Sequence, residues 1–126
     1  MSFTLEDKVI LVTGSSSGIG FAIAKAAKDA GATVMLHGSG EEKLQDCAQR
    51  LGGNISWVVA DLSDPAGPKK MVDATIEAYG RIDGLVNNAG IFPRSTIETA
   101  SDGEFDRIFH INTRAPLMLI KELVAH

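Results

Sequence analysis

Short aliphatic runs alternate with longer amphipathic segments along the chain, and this alternation constrains the fold more than any other feature. The aliphatic runs are typical of buried parallel strands, being too short and too apolar for half-exposed ones: 8–13, 33–37, 56–60 and 84–87. Predicted helices lie between them at 19–30, 41–51 and 68–79, each followed closely by a glycine. Strand–helix–strand units require right-handed crossovers. The sequence therefore predicts an α/β fold, a doubly wound parallel sheet with helices on both faces.

A further helix is predicted to begin at 101–104, where the letters SDGE have the spacing of a capping box, and to run to about Leu123. Pro116 falls inside this helix and cannot donate a hydrogen bond to the carbonyl of Asn112, four residues earlier. We therefore expect the Asn112 carbonyl to lack a helical partner.

Composition favours one compact domain over residues 1–126, because 44% of the residues are hydrophobic, 22% are charged and no linker divides the chain. Sixteen acidic against twelve basic residues give a net charge of −4, which opposes binding to nucleic acid. The longest aliphatic run is 9–12, so neither a signal peptide nor a membrane span is predicted. Cys47 is the single cysteine, which favours a reducing, cytoplasmic setting, and no metal site is predicted from ligand spacing.

The glycine-rich segment 13–20, with the letters TGSSSGIG, lies between the first predicted strand and the first predicted helix. Glycines let the backbone turn tightly and approach a ligand there, and the helix start offers unpaired N–H groups to a pyrophosphate. A P-loop would need Lys and then Ser or Thr after the last glycine, whereas Gly20 is followed by Phe21. Taken alone, the segment could also be a tight strand-to-helix connection without a ligand.

Two other strand ends carry polar or glycine-rich letters, ADLS at 60–63 and VNNAG at 86–90. The carboxyl ends of parallel strands lie at one edge of the sheet, where a ligand crevice forms. The sequence resembles the short-chain dehydrogenase/reductase family, including 3-oxoacyl reductases, over the whole chain. The resemblance rests on the glycine-rich segment 13–20, on the strand ends at 60–63 and 86–90, and on Asn112. The resemblance implies a Rossmann-like fold and hydride transfer between a nicotinamide dinucleotide and a small carbonyl or alcohol substrate.

The resemblance also implies positions for the cofactor. Around the pyrophosphate and its ribose it places Gly14, Ser16, Gly18, Ile19 and Gly20. Asp61 and Leu62 would meet the adenine, and Asn88, Ala89 and Gly90 would lie along the cofactor. Asn87 is expected to hydrogen-bond neighbouring strands instead.

Asn112 matches the asparagine that this family adds to its catalytic serine, tyrosine and lysine, its carbonyl holding a water of the proton relay. A kinked packing helix is the equal alternative at Asn112. The catalytic serine and the Tyr-x-x-x-Lys pair are missing from the 126 residues, and the single tyrosine, Tyr79, is followed four positions later by Asp83. The chain is thus expected to be the N-terminal part of a longer reductase, truncated after the fourth strand and the following helix and inactive alone. The alternative is a non-catalytic dinucleotide-binding module or a nonfunctional truncated product.

The choice between NAD and NADP depends on the residues that end the second strand. In this family Gly38 takes the place of an NAD-selecting aspartate, and Ser39 the place where many NADP enzymes carry arginine. With no acid to repel a 2′-phosphate, NADP is favoured over NAD, and Gly38→Asp should turn preference towards NAD. His37 is interpreted as a strand-end residue with a solvated ring, in preference to a phosphate contact.

Structural roles are predicted for the remaining candidates. The acids of the segment 102–106 suit a solvated first helical turn more than a metal site. His110, His126 and Cys47 lack partners for a nucleophilic site. An apolar parallel strand left at a sheet edge predicts self-association or marginal stability, and family members usually form homo-oligomers through the helix that begins near Ser101.

Overall fold

The computed structural model describes residues 3–126 and contains one parallel sheet with helices on both faces. The strands are β1 (Val9–Val12), β2 (Thr33–Gly38), β3 (Ser56–Val59) and β4 (Gly84–Val86). The helices are α1 (Gly18–Asp29), α2 (Glu41–Arg50), α3 (Gly67–Tyr79), α4 (Asp102–Phe109) and α5 (Ala115–Val124), and a π-helical turn at His110–Arg114 joins α4 to α5. The predicted α/β class and the order of elements are confirmed.

The strand order is β3-β2-β1-β4, and every neighbouring pair is parallel. The chain moves outward from β1 through β2 to β3 and then crosses back to place β4 on the other side of β1. Such a reversal opens a crevice at the carboxyl ends of the central strands. Val12 pairs in register with both Leu36 and Val86, so the ends of β1, β2 and β4 lie side by side.

Two hydrophobic cores cover the two faces of the sheet. Val12 and Leu36 face one core with apolar residues of α1 and α2, whereas Leu11 and Met35 face the other core with residues of α3 and α5. All four side chains are almost fully buried. Successive residues of a strand point to opposite faces, so a strand buried on both faces is apolar throughout. This is why the strands read as unbroken aliphatic runs.

Tyr79, at the end of α3, lies at the edge where the strands begin. Its hydroxyl accepts a hydrogen bond from the Ser56 N–H at 2.9 Å and donates one to the Val34 carbonyl at 3.1 Å. Tyr79 therefore lies away from the carboxyl ends of the strands. It joins the starts of β2 and β3.

The long final helix differs from its prediction in two ways. It is interrupted by the π-turn, in which the Ala115 N–H bonds to the His110 carbonyl five residues earlier. The wider turn directly precedes Pro116, whose missing N–H already disturbs the α-helical pattern. The capping box is only half formed: Ser101 accepts from the Glu104 N–H at 3.2 Å, but the Glu104 carboxylate bonds to the Ser95 hydroxyl.

No helix within residues 3–126 combines the length and the apolar character needed to cross a bilayer.

Candidate functional site

A cleft of about 610 Å³ opens at the carboxyl ends of the strands. Residues from the segments 14–19, 37–39, 60–62 and 88–92 line it, one segment from each strand end, together with Arg107 and Ile111. The predicted cofactor residues in its wall are Gly14, Ser16, Gly18, Ile19, Gly38, Ser39, Asp61, Leu62, Asn88, Ala89 and Gly90. Gly20 and Asn112 do not line the cleft. The topology thus brings distant segments together at the expected edge.

Thr13 and Asn88 tie the loop after β1 to the loop after β4. The Thr13 hydroxyl oxygen accepts from the backbone N–H groups of Asn88 at 3.0 Å and of Ala89 at 2.9 Å. Asn88 Nδ2 donates to the carbonyls of Thr13 and Gly14 at 3.2 and 3.1 Å. The side-chain bonds predicted for Asn87 are thus made by Asn88, while Asn87 is exposed. Successive side chains alternate in direction, and it is Asn88 that faces the first strand.

Helix α1 begins at the cleft without a side-chain cap. The N-cap Ser17 is extended, its side chain makes no capping hydrogen bond, and the first turn holds no acidic residue. The first N–H groups of such a helix and its positive dipole end are available to an anion. Gly20 lies further into α1, where a Cβ would collide with the Gly14 carbonyl oxygen. Its role is therefore to let the loop pack against the helix.

His37 lies near the end of β2, as interpreted from the sequence, but its ring is buried, so the expectation of a solvated ring was wrong. Its side chain is 4% exposed, because three strand ends converge around it. Nδ1 accepts a hydrogen bond from the Gly14 N–H at 2.9 Å, and Nε2 bonds to the Ala60 carbonyl at 2.9 Å. Burial lowers the pKa of His37, and the Ala60 bond opposes this effect. A donor on one side and an acceptor on the other select the neutral ring with its proton on Nε2.

Gly38 and Ser39 form the wall beyond β2. A Cβ at Gly38 would lie 2.9 Å from Ser16 Oγ and 3.0 Å from Ser16 Cβ. An aspartate at Gly38 would therefore introduce a steric effect as well as a charge. Ser39 is exposed in the cleft wall and offers a cleaner position for altering charge.

The Asp61 side chain, at the end of β3, hydrogen-bonds to a residue two positions later in the chain. Its Oδ1 accepts from the Ser63 hydroxyl at 2.6 Å and from the Ser63 N–H at 2.9 Å. These two bonds lower the pKa of Asp61, and the nearby Arg107 guanidinium adds to the effect. Arg107 reaches the Ser63 hydroxyl at 3.4 Å, and Arg114 donates to the Ser63 carbonyl at 2.8 Å. Helix α4 and the π-turn thus hold the loop after β3.

Asn112 lies within the π-turn and hydrogen-bonds to both backbone polar groups of Ile91, in the loop after β4. Its Oδ1 accepts from the Ile91 N–H at 2.8 Å, and its Nδ2 donates to the Ile91 carbonyl at 2.5 Å. The side chain therefore has a structural task at the cleft rim. π-turns are rare and are often found at functional sites.

Sequence reasoning missed two residues of the cleft wall, Arg107 and Ile111. Arg107 and Ile111 are four positions apart, so they share one face of a helix. The shared helix face could have been found from this spacing. Whether that face points into the cleft depends on how the helix packs against α3 and the sheet. Cys47 is buried and donates to the Ser16 carbonyl at 3.2 Å, and burial raises the pKa of its thiol. In residues 3–126 no three His, Cys, Asp or Glu side chains group as metal ligands would.

Comparison with known proteins places this geometry in a family. The family model described as "short chain dehydrogenase" matches residues 8–126. An uncharacterized oxidoreductase of Thermotoga maritima is 36% identical over 122 residues, covering 94% of this chain and 48% of that protein. Versicolorin reductase of Emericella nidulans is 34% identical over 129 residues, covering 99% of this chain and 49% of that protein. The chain spans about half the length of these curated relatives.

Solved structures give the same result. L-sorbose reductase from Gluconobacter frateurii, complexed with NADPH and L-sorbose, superposes with a TM-score of 0.93 at 32% identity, covering 99% of this chain and 49% of that one. A 3-ketoacyl-(acyl-carrier-protein) reductase from Brucella melitensis, complexed with NADH, superposes with a TM-score of 0.90 at 35% identity, covering 98% and 51%. The four strands and their helices thus have the arrangement of these reductases over about half of each.

Proposed function

Since the chain belongs to the short chain dehydrogenase family, we propose that it binds a nicotinamide dinucleotide in the cleft at the strand ends, as the cofactor-binding part of an oxidoreductase. The observation that carries this proposal is the open start of α1 beside that cleft: an extended Ser17 without a capping bond, and no acid in the first turn. Such a helix end suits a pyrophosphate. A Cβ on Gly18 would meet no atom within 4 Å, so the helix start has free space beside it.

The residues that would hold the cofactor divide by the chemistry that they offer. The backbone of the cleft residues in 14–19 and the Ser16 hydroxyl suit the pyrophosphate and its ribose. Asp61 and Leu62 suit the adenine, one by its carboxylate and the other by its apolar surface, and Asn88, Ala89 and Gly90 border the path between the strand ends. When bound, the nicotinamide supplies or accepts a hydride at the carbon of a carbonyl or alcohol substrate.

NADP is the preferred cofactor in this proposal. Neither Gly38 nor Ser39 carries a negative charge that would repel a 2′-phosphate, and the Ser39 hydroxyl can donate to one. The sorbose reductase that resembles this chain was solved with NADPH. The absence of arginine at these two positions makes the expected preference modest, because a guanidinium binds phosphate more strongly than a hydroxyl does.

We further propose that these 126 residues bind the cofactor without completing the reaction. General acid–base work on a carbonyl or alcohol needs a group of suitable pKa within hydrogen-bond reach of the reacting oxygen. Tyr79, the single tyrosine, has its hydroxyl engaged by Ser56 and Val34 at the other edge of the sheet. Asn112 would contribute to a proton relay only together with a serine, a tyrosine and a lysine of the family pattern.

Isothermal titration of the chain with NADPH and with NADH tests the proposal. We expect both to bind and NADPH to bind more tightly. Ser39→Asp should weaken NADPH binding by roughly tenfold and leave NADH binding within about twofold, since one repulsion near the surface is worth on the order of 1 kcal/mol. Ser39→Asn is the matched control, because asparagine has nearly the same shape as aspartate but carries no charge. A folded chain that binds neither nucleotide would contradict the proposed function.

A further inference from the structure

We propose that His37 is a positioning residue for the dinucleotide loop: its neutral ring holds the Gly14 peptide in place, and cofactor affinity therefore depends on that ring being unprotonated. This inference rests on the proposed cofactor function of the cleft. His37 would act through Gly14 and not by touching the reacting atoms.

Both backbone polar groups of Gly14 are hydrogen-bonded. Its N–H donates to His37 Nδ1 at 2.9 Å, and its carbonyl accepts from Asn88 Nδ2 at 3.1 Å. Gly14 has a φ of +61°, a conformation that side chains other than glycine rarely adopt. The two bonds thus fix a backbone turn that would otherwise be free to change, and this turn leads directly to the start of α1.

Hydrogen bonds fix both the backbone and the ring of His37. Its backbone N–H donates to Ser15 Oγ at 2.8 Å, and its carbonyl accepts from the Ser15 N–H at 2.8 Å. Nε2–H donates to the Ala60 carbonyl at 2.9 Å. One imidazole therefore connects the ends of β1, β2 and β3 beneath the wall of the cleft. A small displacement of the ring would move all three.

Protonation would remove this arrangement. A proton on Nδ1 would point at the Gly14 N–H, so that two donors would face each other and Gly14 would lose its acceptor. Burial lowers the pKa of His37 from its ordinary value of 6.5, which keeps the ring neutral near neutral pH. The contribution of the neutral ring is therefore fully present above pH 6.5 and is lost as the pH falls through the lowered pKa.

No charged side chain of residues 3–126 is among the causes of the shift in the pKa of His37. Its bonding partners are backbone groups of Gly14 and Ala60, and the neighbouring Ser15 is uncharged. Three titratable groups of the adjoining segments form hydrogen bonds elsewhere. The Asp61 carboxylate accepts from Ser63, Arg107 reaches the Ser63 hydroxyl, and the Cys47 thiol donates to the Ser16 carbonyl. Among the described residues, the pKa of His37 responds to burial and to Ala60 alone.

The binding test compares two variants with the unmodified chain at pH 7.5 and over a series of lower pH values at which all three proteins stay folded. His37→Leu removes both ring bonds at similar size and should raise the NADPH dissociation constant roughly tenfold at pH 7.5, as expected for one unsatisfied buried N–H. His37→Asn restores an acceptor near the Nδ1 position and should stay within about threefold. The 2′-phosphate also titrates at about pH 6. The phosphate titration affects NADPH binding equally in the unmodified chain and in both variants. An additional loss of affinity as the pH falls through the lowered pKa of His37 should therefore appear in the unmodified chain and not in His37→Asn.

A second measurement needs no cofactor. Nitrogen-15 NMR of the imidazole should show a proton on Nε2 and a bare Nδ1, and amide hydrogen exchange at Gly14 should be faster in His37→Leu than in His37→Asn. If the unmodified chain shows this tautomer and protection but binds no nucleotide, the cofactor function fails while His37 still holds the loop. Equal NADPH affinities and equal pH profiles in all three proteins would overturn the role of His37 in binding and leave the cofactor function intact.

Discussion

The backbone of Gly14 packs directly on that of Ala89: a Cβ added to Gly14 would lie 2.9 Å from the Ala89 Cα. These two residues follow β1 and β4, which are neighbours in the sheet although they are far apart in the chain. The close approach lets Thr13 and Asn88 form their hydrogen bonds across the same gap. The floor of the cleft is therefore a backbone-to-backbone contact that requires the absence of a side chain.

Gly14→Ala should destabilise the fold through this contact. Gly18→Ala is the matched control, because Gly18 has a similar positive φ of +56° and a Cβ there would meet nothing within 4 Å. Both variants carry the conformational cost of about 1 kcal/mol for a left-handed residue. Gly14→Ala should lose a further 1–3 kcal/mol or so by overpacking. Urea unfolding measures the difference, and equal losses in the two variants would show that the Ala89 contact is unimportant.

Tyr79→Phe should reduce stability without changing cofactor affinity. The substitution leaves the Ser56 N–H and the Val34 carbonyl without their partner, which costs about 1–3 kcal/mol in partly buried surroundings. The cleft lies at the opposite ends of the strands, so NADPH titration should give an unchanged dissociation constant. A lowered affinity at unchanged stability would mean that Tyr79 acts on the site.

Asp83 should make the stability of the chain depend on pH in the acid range. Its bonds to the Arg81 side chain and to the Val9 N–H lower the pKa of its carboxyl below the ordinary value of 3.8. A lowered pKa contributes stability that is present above pH 3.8 and lost as the pH falls through the lowered value. Asp83→Asn should therefore be less stable than the unmodified chain at pH 7, and the difference should shrink at pH 2.5. Urea unfolding at the two pH values checks the sign, and a constant difference would contradict it.

Asn112→Ala should loosen the start of the loop after β4. Both polar atoms of the side chain bond to the backbone of Ile91, so the Ile91 N–H should exchange with solvent faster in the variant. Asn112→Asp keeps an acceptor for that N–H but turns a second oxygen towards the Ile91 carbonyl, and it should protect the amide partially. Hydrogen exchange followed by NMR or mass spectrometry tests this order, and unchanged exchange in Asn112→Ala would contradict this role of Asn112.

The chain is expected to self-associate. Within residues 3–126, β4 pairs with β1 alone, and exposed apolar side chains line the outer face of α4 and α5: Phe105, Phe109, Leu117, Ile120 and Val124. Sedimentation at micromolar concentration should show species larger than a monomer. Replacing Phe105 and Phe109 together with serine should shift the distribution towards monomer, since their stacked rings are exposed. A stable monomer that unfolds cooperatively would contradict the prediction.

The sequence by itself determined the class and order of the elements and the edge at which the site lies. Periodicity and glycine positions are local properties, and a β1–α1–β2 pattern leaves few ways to bury apolar strands. The glycine segment 13–20 and the strand ends at 60–63 and 86–90 were therefore identifiable before the structure, and the cleft contains most of their residues.

The tertiary structure alone decided which side chains hold these segments together. His37 is buried and bonds to Gly14 and Ala60 because three strand ends meet around it, and nothing near it in the sequence records that meeting. The same holds for Asn88 in place of Asn87, and for Arg107 in the cleft wall. Hydrogen bonds between residues more than twenty positions apart depend on strand order, register and helix rotation, which a local pattern constrains only within wide limits.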